Sequence, residues 1–141
     1  MLGVGNKLAR ELQRGVTGLA DVEASGSLYN RFARHAGQVI AHSNMPGCPG
    51  SVDRYLGMLA TVLGHWAEAE AHFRAALRIE TALRAPPFLA RTNYWYAHLL
   101  ATRPRGHRYE AARLATAAGE TAELLGMAAL AEQARDLLDG L

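Results

Sequence analysis

The side chains able to do chemistry are few and scattered along the chain. His65, Glu68 and His72 stand at i, i+3 and i+7, a spacing that lets them share one helix face. A zinc site draws three or four converging ligands, with its helical pair usually at i, i+4. His65 falls at a turn, and Glu68 and His72 fall on the solvated back of the helix, so the trio reads as surface. Ser43 and Cys48 share a loop with His42, the one place where a nucleophile and a base lie close in the chain. Loop proximity does not bring a base within hydrogen-bond reach, so no catalytic residue is assigned there. Gly3-Val4-Gly5-Asn6-Lys7 has the flavour of a phosphate loop, but neither the spacing nor the Ser or Thr after Lys. No metal or cofactor is expected, and the chain reads as non-enzymatic.

Two further groups suit binding better than bond chemistry. The linker 102–107 is basic and irregular, and Arg103, Arg105 and the following Arg108 offer contacts to an acidic partner or a phosphate. The plainer reading is a solvated loop between helices. Tyr94-Trp95-Tyr96 is the densest aromatic cluster. Successive helical residues point about 100° apart, so these three cannot all face one core. Exposed aromatics and arginines are what binding hot spots favour.

The elements that must position these groups are helical. The chain has 141 residues, one domain's worth, and contains 27 alanines and 20 leucines against 2 isoleucines and 6 valines. Ala and Leu lose little side-chain entropy in helices, whereas sheets prefer β-branched residues, so the fold class is all-α. A chain this long buries about 70% of its unfolded surface and needs no metal or disulfide staple. Its single cysteine, Cys48, excludes an internal disulfide framework and a multi-cysteine zinc site. Fifteen basic and thirteen acidic residues interleave without a run of like charge, so the high isoelectric point of about 9.0 does not mark a nucleic-acid binder. No apolar run approaches the roughly 18 residues that cross a bilayer, and the first residues lack the order of a signal peptide. A cytoplasmic protein is expected.

Periodicity places a short helix over 6–13, carrying Leu8 and Leu12. A break follows at Ala24-Ser25-Gly26-Ser27, with Ser25 or Ser27 capping a helix over 28–39 on which Leu28, Phe32 and Ala36 recur. The clearest loop runs over 42–50. Ser51 can cap the next helix, with Asp53 in its first turn and Val52, Leu56, Leu59 and Leu63 as its apolar stripe. After Gly64 a helix carries Trp66, Ala69, Phe73, Ala76, Leu77 and Leu83 on one side, and Pro86-Pro87 either ends it or starts the next. Helices over 88–101, 108–125 and 128–138 complete the chain.

An internal repeat organises these elements. Glu68-Ala69 and Glu110-Ala111 are 42 residues apart, as are Gly64 and Gly106, and the preceding helices match at a shift of 40. The two-residue difference lands in the loop around Arg103 to His107. A single domain over 1–141 results: a degenerate hairpin and loop over 1–50, hairpins over 51–85 and 86–126, and a terminal helix over 127–141.

Leu56-Gly57, Gly64, Ala69, Phe73 and Ala76 have the spacing of a tetratricopeptide repeat, while Asp53, Ala60 and Thr81 stand where that family has Trp, Tyr and Pro. The longer period, with Val52-Asp53-Arg54-Tyr55-Leu56-Gly57, Ala75-Ala76-Leu77, Leu89-Ala90-Arg91-Thr92 and Leu124-Leu125-Gly126-Met127, resembles something narrower. It is similar to the C-terminal repeat region of large actinobacterial regulators, in which an ATPase module precedes such repeats. Those proteins carry a LuxR-type DNA-binding domain or an adenylate/guanylate cyclase domain at one end, and neither is present in these 141 residues. The resemblance implies a short right-handed solenoid of stacked antiparallel hairpins whose first helices line a concave groove. It places Arg54, Met58, Thr61, Tyr94 and His98 on that groove. The function expected is a bacterial regulatory or signalling interaction module that holds a peptide or helix of a protein partner. Two alternatives stand beside it. One is a self-associating or capping segment, a homodimer paired through Leu8, Leu12, Leu19 and Val22; the other is a sensor of a small effector.

Overall fold

The computed structural model describes residues 22–40 and 50–141. Among these, helix α1 spans Val22–Phe32 and ends in a 3-10 turn, Ala33–His35. Strands β1, Val39–Ile40, and β2, Gly50–Ser51, pair antiparallel with Val39 opposite Ser51. Five helices follow: α2, Val52–Val62; α3, Trp66–Ala82; α4, Pro86–Thr102; α5, Arg108–Leu124; and α6, Ala128–Asp139. Apart from the two-residue ladder, the described chain is all-helical, and none of its helices is long and apolar enough to cross a membrane. The expected helix over 6–13, the Gly3 to Lys7 stretch, Leu19 and the loop with His42, Ser43 and Cys48 lie outside the described residues, as does the Val22 side chain.

The helix bounds carry the internal repeat. Both α3 and α5 have 17 residues, and each end of α5 lies 42 positions beyond the matching end of α3. The C-terminal ends of α2 and α4 differ by 40, whereas α4 begins earlier relative to the repeat and is the longer helix. By packing, the chain divides into two compact units, Met1–Ala76 and Leu77–Leu141, with the boundary inside α3.

In the first unit α1 packs against α2. Ala24 to Ser27 lies inside α1 and does not break it, which corrects the expected start near residue 28. Ser25 is buried, and a Cβ placed on Gly26 would sit 3.6 Å from the Leu63 side chain. These small residues therefore read as turn formers locally but serve a close helix approach, and the tertiary contact overrides the weak local preference. Ala36 falls beyond the helix and is exposed. Ser51 caps α2 as expected, its Oγ accepting the Asp53 N–H at 3.1 Å. Every residue from Val52 to Thr61 is buried. Gly57 is the hinge point of this packing: a Cβ there would lie 2.8 Å from the fully buried Phe73 ring. Only a glycine lets α3 bring Phe73 so close to the α2 backbone.

In the second unit α5 packs against both α4 and α6. Pro86 and Pro87 start α4, where their missing N–H groups would have had no helical partner. The core is largely alanine: Ala90 and Ala97 on α4, Ala111, Ala115, Ala118 and Ala122 on α5, and Ala131 and Ala134 on α6. Larger side chains, Tyr96, Leu99, Leu100, Leu114 and Leu130, fill what these leave. Leu83, expected on the apolar side of α3, lies past its end and is 51% exposed.

Three helix ends share one turn. Gly64, Arg84 and Gly126 have φ of 73°, 51° and 72°, and the N–H of the residue after each bonds back to Ala60, Glu80 and Ala122 respectively. This is the left-handed closure that satisfies orphan carbonyls at a helix C-terminus. Each turn leads directly into the next helix.

Candidate functional site

The five groove positions divide between the units. Arg54, Met58 and Thr61 lie on α2 and are interior residues, exposed by 2%, 4% and 8%. The Arg54 guanidinium lies 5.1 Å from the centre of the Tyr55 ring, and Thr61 Oγ donates to the Gly57 carbonyl one turn back at 2.7 Å. All three side chains are buried.

Tyr94 and His98 lie on α4 and are half-buried. Tyr94 packs against the small core of Ala90, Ala122, Leu130 and Ala131, joined by Met127. Burial, with Asp136 adding to it, pushes its phenol above the usual range. Burial holds the His98 imidazole below its usual value. Trp95 sits between them, its ring 5.1 Å from Tyr94 and 5.5 Å from His98, edge-to-face in both cases. Tyr96 points inward and is buried, so the three aromatics do part company around the helix.

Trp95 and Arg91, one turn apart, form one wall of a cleft of about 340 Å³. The opposite wall is the start of α6, contributed by Met127, Ala128, Ala129, Leu130 and Gln133. Arg91, Trp95 and Met127 were not among the expected site residues. The i, i+4 spacing of Arg91 and Trp95 was the available signal, but only the turn at Gly126 brings α6 opposite them.

The basic loop is strung out along the connection between α4 and α5. Arg103 caps α4 through its backbone, Arg105 adopts a left-handed backbone with φ of 56°, and Arg108 begins α5 with its guanidinium 3.5 Å from the Leu141 carbonyl. Of the histidine trio, His65 and Glu68 are exposed. His72 corrects the surface reading: its Nδ1 lies 3.0 Å from the Asp53 carboxylate and its Nε2 is 2.8 Å from the Tyr29 hydroxyl. Among the described residues no group of three or more His, Cys, Asp or Glu is arranged to hold a metal ion. What the second unit offers is a cleft lined by Trp95, Met127 and Arg91. No protein-family model matches this chain, and neither a curated protein nor a solved structure is similar to it.

Proposed function

We propose that the chain is a tetratricopeptide-like interaction module whose α4–α6 cleft docks a peptide or helix of a protein partner through non-covalent contacts. The cleft between α4 and α6 carries this reading. Trp and Arg are the residues that dominate binding hot spots, and Trp95 and Arg91 stand side by side on its wall. Met127 adds an unbranched, polarisable side chain that adapts to the shape of an incoming group. Tyr94 and His98 brace Trp95 from either side. Arg54, Met58 and Thr61 take no part, because their burial leaves nothing for a partner to touch. A regulatory or signalling setting is supported by the sequence resemblance.

The test is selection of binders from a display library of amphipathic and extended peptides, followed by affinity measurement on purified chains. Trp95→Ala, with helicity checked by circular dichroism, is expected to weaken the selected peptides by about 30-fold, the equivalent of about 2 kcal/mol at a hot spot. Peptides that bind the variant as tightly as the native chain, or a library that yields no binder, would overturn the docking reading.

A further inference from the structure

The first unit contains a line of polar side chains that docking does not use. Asp53 is 3% exposed and its carboxylate is held at both oxygens: Oδ2 accepts the Gly37 N–H at 2.6 Å, and Oδ1 faces His72 Nδ1 at 3.0 Å. Against an ionised Asp53 carboxylate, which can only accept, the ring proton belongs on Nδ1 of His72. Nε2 of the uncharged ring is then an acceptor, and the Tyr29 hydroxyl lies 2.8 Å from it. The His72 side chain is 18% exposed and Tyr29 is half-buried, whereas the Asp53 carboxylate is buried. A hydroxyl within reach of a base, with that base oriented by a buried third group, is the arrangement that activates a nucleophile.

We propose that Tyr29 is a covalent acceptor for activated acyl groups, with His72 as its base and Asp53 positioning the imidazole. The phenolic oxygen attacks the acyl carbonyl carbon while its proton passes to His72 Nε2. The tetrahedral adduct then collapses, the bond to the leaving group breaks, and the leaving oxygen departs with the electron pair and takes the proton from Nε2. The products are O-acyl-Tyr29, a neutral His72 and the free alcohol or phenol of the donor; nothing is oxidised or reduced. A base is needed because burial and the nearby Glu68 and Asp53 carboxylates raise the Tyr29 phenol above its ordinary value.

The chain supplies its own reference. Tyr109 is 85% exposed on α5 and reports the reactivity of an open phenol. With p-nitrophenyl acetate as the probe, acetylation of the two tyrosines is followed by peptide mapping on the full chain. Tyr29 is expected to react about 100-fold faster than Tyr109, the lower end of what a positioned base contributes. His72→Gln, which keeps an acceptor for the hydroxyl but no base, is expected to bring Tyr29 down to the Tyr109 rate. A native Tyr29 within about threefold of Tyr109 would overturn the proposal, since general-base help begins well above that. So would an undiminished Tyr29 in His72→Gln. The positioning role has a separate readout: nitrogen NMR of the His72 ring is expected to show the proton on Nδ1 in the native chain and shared between both nitrogens in Asp53→Asn. A native ring protonated mainly on Nε2 would remove Asp53 from the scheme.

Discussion

Glu80 is fully buried near the end of α3, and its Oε2 accepts the Thr92 hydroxyl at 2.7 Å. A buried carboxyl group depends on each donor it keeps, so Thr92→Val, which preserves shape and removes the hydroxyl, should destabilise the fold by about 1–3 kcal/mol in urea unfolding. His98 makes a different demand. Because burial lowers its affinity for a proton below that of the unfolded chain, acidification through its ordinary value of 6.5 favours unfolding. Above that value both states are neutral and the full stability is present. His98→Asn should therefore narrow the gap between urea midpoints measured at about pH 7.5 and about pH 5.5. Side chains of this kind mark the limit of sequence reading. The spacing of His65, Glu68 and His72 was legible, but the direction His72 faces depends on Asp53, nineteen positions earlier on another helix.

Helix boundaries were far more legible, because they are written in local chemistry. Ser51 as a cap and Gly64 and Gly126 as stops act within a few residues of where they sit, while Pro86-Pro87 marked a boundary whose side, the start of α4, the structure decides. The failure at Ser25-Gly26 has the opposite cause, since nothing local distinguishes a turn-forming pair from a pair chosen for close packing against Leu63. The shared turn also exposes one misfit. Arg84 occupies the left-handed position that Gly64 and Gly126 fill elsewhere, and a side chain there costs about 1–2 kcal/mol. Arg84→Gly should raise stability by about 1 kcal/mol and Gly126→Ala should lower it by a similar amount, read as shifts in melting temperature.

At the scale of the molecule, an alanine-rich composition became two helical units whose cores differ in kind. The first is built on Phe32, Val52, Leu56, Leu59 and Phe73, the second mainly on alanines that let helix backbones approach. The repeat of 42 residues was readable from Glu68-Ala69 and Glu110-Ala111, and the helix ends keep it. The α4–α6 cleft was not, because its two walls are separated by a whole helix in the chain. The division has a spectroscopic consequence. The two tryptophans fall one to each unit, Trp66 at the start of α3 and Trp95 on α4. Each therefore emits from a different half of the protein, and replacing either with phenylalanine leaves a fluorophore that watches one unit alone. Coincident unfolding curves from the two single-tryptophan chains would make the halves one cooperative body, and separated curves would give each unit its own melting point.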